Sequence, residues 1–286
     1  MKLTEIYKKP GRVLSFEIFP PKHDEELINI DATLELLCEL KPDFISVTFG
    51  AGGSSNNNGT IAICRHIKEK YGVEPVAHLT CLCYNRNEID DFCRELADSG
   101  IENVLALRGD YNPKAPPKGV FSHASDLIEY IRPRTNFCIA GACYPENHPD
   151  SENRISEIRN LKTKVDAGAE VLMSQLFFDN EDFYSFVEDA RIAGIQVPVT
   201  PGIMPCLSAR TIKRMVTTCG AKLPDKFRKI IEKYEENPDA LFDAGLYYAI
   251  SQIIDLLVSG CDGIHIYTMN NPVAVKRICD GIKNIV

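Results

Sequence analysis

The chain has 286 residues, 44% hydrophobic and 25% charged, and its 32 basic and 40 acidic residues leave a formal charge of −8. That balance carries no basic footprint for nucleic acid, and no Lys/Arg cluster flanks a long apolar run of the kind that attaches to a membrane. No uninterrupted apolar stretch is long enough to cross a bilayer, the N-terminal MKLTEIYKKPGR lacks the apolar core of a signal peptide, and the 11 scattered cysteines have the pattern of reduced thiols, so a cytoplasmic location is expected.

In chain order, eight apolar, β-branched or aromatic runs read as strands: 14–19, 44–49, 75–82, 103–107, 137–144, 171–178, 197–203 and 263–269. Helical periodicity separates most of them. Leu34, Leu37 and Cys38 belong to one stripe that closes at Lys41 and Pro42; Ile155, Ile158, Leu161 and Val165 form another that stops at Gly168. The stretch between the last two strands is longer and holds two helical patterns, 225–235 and 239–259. Strand–helix alternation implies a parallel sheet, and eight repeats imply closure. The expected fold class is therefore α/β, a (β/α)8 TIM barrel in which residues 1–286 form one domain, with an elaborated helical crossover before the last strand. Function in such a barrel sits where strands end and the following loops begin.

Reading only those places isolates a short set of polar groups. Glu17 alternates with Phe16 and Ile18 and so points away from them; it is either half of a buried ion pair or an acid with a raised pKa. Thr48 precedes the glycine-rich Gly50-Ala51-Gly52-Gly53-Ser54-Ser55. That loop is no dinucleotide fingerprint, because Ser55 takes the third glycine position and no acidic strand end follows at the required spacing; it reads as backbone passing close to a ligand. His78 reads as a satisfied barrel histidine or a site residue. Arg108 suits a phosphate or carboxylate, or a salt bridge to Asp110 or Glu17, and Asp110 is a turn or cap residue or an acid. Tyr144 and His148, Gln175, 201–205, and then His265, Tyr267, Thr268, Asn270 and Asn271 complete the strand ends. Glu157, Asn160 and Lys164 share one helical face opposite the Ile155 stripe, either solvated or lining a ligand groove. Cys81 and Cys83 read as packing, and no ligand array for a metal is found. A Schiff-base aldolase would want a strand-end lysine and a metal hydrolase an HxH pair; neither is present. A glycosidase using Glu17 and Asp110 leaves Arg108 and His78 without roles. The residues alone define an enzyme with one or two acids, an anion-binding arginine and a long polar groove.

Nine segments, SFEIFPPK, SVTFGA, HLTC, ALRGD, YPENHP, NLKTKVDAGA, SQLFFD, PGIMP and HIYTMN, occur in an order and spacing by which the chain resembles methylenetetrahydrofolate reductases of the bacterial single-domain type. The resemblance implies a flavoprotein barrel that uses FAD, with FMN as the alternative, to convert 5,10-methylenetetrahydrofolate to 5-methyltetrahydrofolate. Reduced nicotinamide, NADH or NADPH, recharges the flavin in a ping-pong cycle. It further implies that Glu17 is the general acid that opens the folate ring and that Asp110 tunes the flavin beside the pterin. Thr48, Phe49, Ala51, His78, Arg108, Gly109, Ala124, Tyr144, His148, Glu157, Asn160 and Lys164 would contact FAD, and Gln175 would serve both folate and nicotinamide. Three positions depart from the family pattern: Glu157 replaces an aspartate, Met215 a phenylalanine that packs on substrate, and Asn271 an arginine that meets the folate's glutamate tail. A homo-oligomer is expected, or a subunit of a larger redox complex with another electron donor. Retention of Glu17, Asp110 and Gln175 argues against a mere scaffold.

Overall fold

Alternation along the strands sorts side chains into two environments, and the barrel follows from that sorting. The structure, a computed structural model, describes residues 1–21, 27–49, 57–113 and 115–285. Its strands are β1 (Val13–Ile18), β2 (Phe44–Val47), β3 (Glu74–Thr80), β4 (Asn103–Leu107), β5 (Cys138–Cys143), β6 (Val171–Ser174), β7 (Val199–Thr200), β8 (Gly202–Ile203) and β9 (Gly263–Tyr267). All pair in parallel, in the order β7-β6-β5-β4-β3-β2-β1-β9-β8. The two outermost segments are halves of one physical strand interrupted at Pro201, whose ring leaves no N–H for the ladder. Thr200 pairs back to Met173, Gly202 pairs forward to His265, and the Pro201 carbonyl itself accepts the His265 N–H at 3.0 Å. The sheet is thus a closed barrel of eight strands, as the sequence predicts.

The helices are α1 (Leu3–Ile6), α2 (Leu27–Cys38), α3 (Asn57–His66), α4 (Arg86–Asp98), α5 (Ala124–Ile131), α6 (Arg154–Asp166), α7 (Asn180–Ile192), α8 (Ala209–Cys219), α9 (Asp225–Tyr234), α10 (Pro238–Val258) and α11 (Pro272–Ile282), with a π-type extension of α3 over Ile67–Tyr71. Outward strand residues such as Phe16, Ile18, Ile45, Leu79 and Ile266 pack beneath the helices in the main core. Inward residues at the N-terminal end form a second, smaller core. There Leu3 and Ile6 of α1 plug the barrel floor against Val13, Phe44, Val76, Leu105 and Val171. Asn103 secures the plug, accepting the Leu3 N–H at 2.8 Å and donating to the Met1 carbonyl at 3.0 Å. The sequence reading passes over α1 because four residues are too few to show a period.

Three further differences have physical causes. Several strands stop short of the predicted apolar runs: the run 171–178 ends its ladder at Ser174. Its last residues are apolar for another reason, since Leu176 and Phe178 join a satellite core with Met204, Ile212, Phe227, Ile231 and Leu241 of the crossover. The crossover holds three helices rather than two. Its first, α8, is rich in β-branched residues but is capped by Ser208, which accepts the Thr211 N–H, and by Gly220 at φ 70°. In α6 the stripe is rotated from expectation: Ile155 is 71% exposed while Glu157 is 4% exposed. Helix α10, 21 residues long, has the length and hydropathy of a membrane span, but its Leu246, Ile253 and Leu256 are buried in this protein's own core.

The crossover is clamped to the barrel at Gly245, where a Cβ would come within 2.3 Å of the Cys206 carbonyl. Overpacking of this kind typically costs about 1–3 kcal/mol. Gly245→Ala should therefore lower the thermal midpoint by several degrees in calorimetry; an unchanged midpoint would mean that α10 can slide away from the 203–208 loop freely.

Candidate active site

At the level above the apolar floor the barrel interior turns polar. Ser15, Ser46 and His265 form one tier, with Ser15 Oγ 2.8 Å from His265 Nδ1 and Ser46 Oγ 3.5 Å from Nε2. Glu17 stands on that tier, 8% exposed. Its Oε2 lies 3.4 Å from His78 Nε2 and 3.7 Å from His265 Nε2. The His78 contact is close but misaligned for a hydrogen bond, since Nε2 is buried without a partner. Burial pushes the His78 pKa down, opposed by Glu17 and aided by His265. Of the two open readings for Glu17, a salt bridge to lysine or arginine is not found among the described residues, where its charged neighbours are two histidines.

This carboxyl opens into a cavity of about 770 Å³ at the C-terminal mouth of the barrel, within the size range of small-molecule sites. One wall is Thr48, whose buried Oγ1 has no partner, and Phe49, which meets Tyr84 and Phe92 edge-on at 5.7 Å each. The β4 end supplies Arg108, Gly109 and Asp110. Gly109 is required twice over: it has φ +87°, and a Cβ there would approach Thr80 Cβ to 3.0 Å. Arg108 pairs with neither Asp110 nor Glu17 but with Asp150 at 2.7 Å. Asp110 is exposed at the rim.

The β5–α6 corner is built around two buried charges. Glu157 accepts the His148 N–H at 3.1 Å and the Ser151 hydroxyl at 2.5 Å, which fixes the loop. Lys164 donates to the Ala142 carbonyl, and its stem crosses Gly141, where a Cβ would sit 2.8 Å from Lys164 Cδ. Burial draws the Lys164 pKa down, countered by Cys143 and Glu157. Its ammonium lies 6.0 Å from the centre of the Tyr144 ring, which in turn meets His148 edge-on at 4.7 Å. Burial raises the Tyr144 pKa and lowers that of His148, where Arg108 adds to the effect.

The opposite wall comes from Gln175, whose Oε1 accepts the Leu176 N–H at 2.8 Å, and from the crossover. Met215, Thr218 and Cys219 of α8 line the cavity, as do Met173, Met204 and Met269. Thr218 and Cys219 carry no strand-end signal and are found only once α8 is in place. Asn160 is exposed on α6 and Ala124 starts α5; neither is among the residues lining this cavity. Asn271, expected beside substrate, instead caps α11, its Oδ1 accepting the Ala274 N–H at 3.0 Å. A short acceptor is what a helix start before Pro272 needs. Cys81 and Cys83 do not share a strand face: Cys81 follows the end of β3, and Cys83 lies in a turn and donates to the Ala115 carbonyl at 2.8 Å. Lys22, Ala51 and the rest of the glycine-rich loop at 50–55 fall outside the described residues.

Titratable and hydrogen-bonding groups gathered at one barrel mouth, above an apolar floor, mark a barrel of the enzymatic kind. The family is direct: the model of the methylenetetrahydrofolate reductase family matches residues 2–283, and the chain belongs to that family. Methylenetetrahydrofolate reductase (NADH) 1 of Arabidopsis thaliana is 35% identical over 285 residues, covering 94% of this chain and 48% of the relative. The 5,10-methylenetetrahydrofolate reductase of Escherichia coli (strain K12) is 32% identical over 266 residues, covering 93% and 89%. The chain thus spans about half the length of the plant relatives it matches and nearly all of the bacterial ones. Among solved structures, an uncharacterized Clostridium thermocellum protein that binds two copies of 5-methyl-5,6,7,8-tetrahydrofolic acid superposes with a TM-score of 0.72 at 17% identity, covering 100% of this chain and 99% of that one. A Coxiella burnetii dihydropteroate synthase in complex with pteroic acid superposes at 0.57 and 12%, covering 97% and 93%. At those identities both speak to the fold alone.

One carboxyl of the YPENHP segment has a separate part. Glu146 Oε2 accepts the Lys222 N–H at 2.6 Å and so ties the β5 end to the α8–α9 turn, while Oε1 is buried without a partner. Burial pushes its pKa from the ordinary 4.5 to about 7; the Lys222 N–H opposes the shift, Asp182 and Asp179 reinforce it, and the Lys222 charge opposes it. A raised folded-state pKa makes this group's contribution whole at low pH and lost as pH rises through the folded value. Glu146→Gln should therefore flatten the fall in thermal midpoint between about pH 4.5 and 7; parallel wild-type and variant curves would show that Glu146 titrates as in water.

Proposed function

We propose that this protein reduces 5,10-methylenetetrahydrofolate to 5-methyltetrahydrofolate with FAD as its cofactor and a reduced nicotinamide as donor, in a ping-pong cycle. The observation that carries the reading is Glu17: a carboxyl beneath the cavity, flanked by two histidines, in a member of the methylenetetrahydrofolate reductase family. Ring opening of the substrate needs a proton on a ring nitrogen, and Glu17 is the acid at the cavity floor that delivers it. His265, 3.7 Å from the carboxyl, is itself held from beneath by Ser15 at 2.8 Å. Burial lowers the His78 pKa, which disfavours a cation 3.4 Å from the acid.

The residues present fit a flavin. Thr48 Oγ1 and His78 Nε2 are buried polar atoms with no partner among the described residues, and such atoms ordinarily have one. Phe49, Gly109 and Tyr144 offer flat or open wall. Arg108, held by an exposed aspartate, and the buried Lys164 supply positive charge for a pyrophosphate. Asp110 at the rim would meet the polar edge of the ring system. Ala51 and His148 would complete the contacts, with Glu157 holding the His148 loop, and Ala124 and Asn160, outside the cavity, would be reached only by the far end of the cofactor. The bound flavin would supply two-electron hydride chemistry. Gln175 and Met215 line the same cavity and would meet folate and nicotinamide in turn.

FAD-loaded protein should be yellow and should bleach on anaerobic titration with NADH or NADPH; bleaching by neither would move the donor to a protein partner in a larger redox complex. In stopped-flow traces at the flavin band, Glu17→Gln should leave the donor-driven phase near the wild-type rate and slow the folate-driven phase by about 10²–10⁴-fold. An undiminished folate-driven phase would make Glu17 a structural carboxylate.

A further inference from the structure

The ladder between β1 and β9 ends in a way that regular strand pairing does not explain. Register places Glu17 beside Tyr267. Thr268 then closes the ladder twice on the same atom, its N–H at 3.2 Å and its hydroxyl at 2.6 Å both donating to the Glu17 carbonyl. There the β9 backbone turns away: Met269 and Asn270 both have φ 53°, a region that side-chain-bearing residues seldom enter in succession. The backbone beyond β9 therefore leaves Phe19, the next residue in need of a partner, without one. The side chain of Asn270 takes its place. Oδ1 accepts the Phe19 N–H at 3.0 Å and Nδ2 donates to the Phe19 carbonyl at 2.9 Å. The amide reproduces what a neighbouring strand residue would present. Among side chains, Asn and Gln carry a donor and an acceptor on one planar group, and Asn is the one at ease at positive φ.

The clamp is continuous. Asn270 donates its own N–H to the Thr268 hydroxyl at 3.0 Å, the same hydroxyl that donates to Glu17. One chain of hydrogen bonds thus runs from the backbone of Glu17 through Thr268 to Asn270 and on to the backbone of Phe19. It brackets Glu17 where β1 leaves the sheet, and Phe19 and Met269, the residues beside the clamp, both line the cavity. A strand end is where a ladder ordinarily frays, and here it carries the carboxyl whose placement decides proton delivery.

We propose that Asn270 is a positioning residue for Glu17: its side-chain amide extends the β1–β9 ladder to Phe19 and so holds the Glu17 carboxyl in register with the cavity floor. The inference rests on the acid role given to Glu17 above. Asn270→Gly is the discriminating variant, because glycine keeps the positive φ and removes only the clamp. Two readouts are taken on the FAD-loaded protein. Hydrogen exchange over residues 14–20 should quicken at Phe19. In stopped flow, the donor-driven phase should stay near wild type while the folate-driven phase slows by about tenfold to 10²-fold, the range expected for displacement of a catalytic group by about 1 Å. The folate KM should change little. If Asn270→Gly fails to fold, Asn270→Asp, which keeps the acceptor and loses the donor, is read the same way. An unchanged folate-driven phase, or an equal fall in both phases, overturns the proposal. Wild-type protein that does not react with methylenetetrahydrofolate at all overturns the functional reading instead, so the two failures are distinguishable.

Discussion

Closure of the barrel through β9 is the constraint on which the site depends. β9 pairs with β1 on one side and with β8 on the other, and that double pairing brings Glu17 and His265 within 3.7 Å although they lie at opposite ends of the chain. The break at Pro201 is compatible with closure because the proline carbonyl still reaches the His265 N–H. Ser174 helps to seal the same seam, its hydroxyl accepting the Gly202 N–H at 2.8 Å and its carbonyl accepting the Tyr267 hydroxyl at 2.6 Å. There is no room for a side chain at Gly202, where a Cβ would lie 2.4 Å from the Ser174 carbonyl. The seam is therefore closely packed and lies beside the acid.

A vertical gradient in the barrel interior follows from the same closure. At the floor, α1 supplies Leu3 and Ile6 to fill space that the inward strand residues leave open. Above it come the serines and His265, then Glu17 and His78, then the cavity. Burying a carboxyl and two imidazoles in adjacent tiers costs free energy unless hydrogen bonds offset it. The protein meets that cost for His265 with Ser15 and Ser46, and leaves His78 Nε2 and Thr48 Oγ1 without partners where they face the cavity. Two of the four buried side-chain atoms without a partner among the described residues lie at this mouth, which fits a site completed by what binds there.

Methionines from several elements give the cavity an adaptable lining. All four methionines beyond Met1 line it, and unbranched thioethers fit irregular surfaces better than branched side chains do. Such a wall suits a site that receives two differently shaped partners in turn. Helix α8 is held there by Gly245 packing on Cys206 from one direction and by the Glu146 carboxylate on Lys222 from the other, so the wall is supported at both ends of the excursion.

Much of this was legible in the sequence. Eight apolar runs in alternation with helices implied a barrel, and inward placement of Glu17 followed from Phe16 and Ile18 being apolar on either side of it, because strand geometry alone determines which residues share a face. The same reasoning located Thr48, His78, Arg108, Tyr144 and Gln175 on the cavity. Tertiary structure decided what local pattern could not. Whether Arg108 met Asp110, Glu17 or Asp150 depended on where the β5–α6 loop folds. Ile155 and Glu157 exchanged their expected environments because α6 packs on loop residues 148–151 as well as on apolar neighbours. Helix α8, weak in propensity, exists through its caps and the satellite core. Asn270 and Asn271 stand side by side in YTMNN, yet one clamps β1 and the other caps α11. Sequence determined that the amides were there; only the turn of the backbone at φ 53° decided which way each one faced.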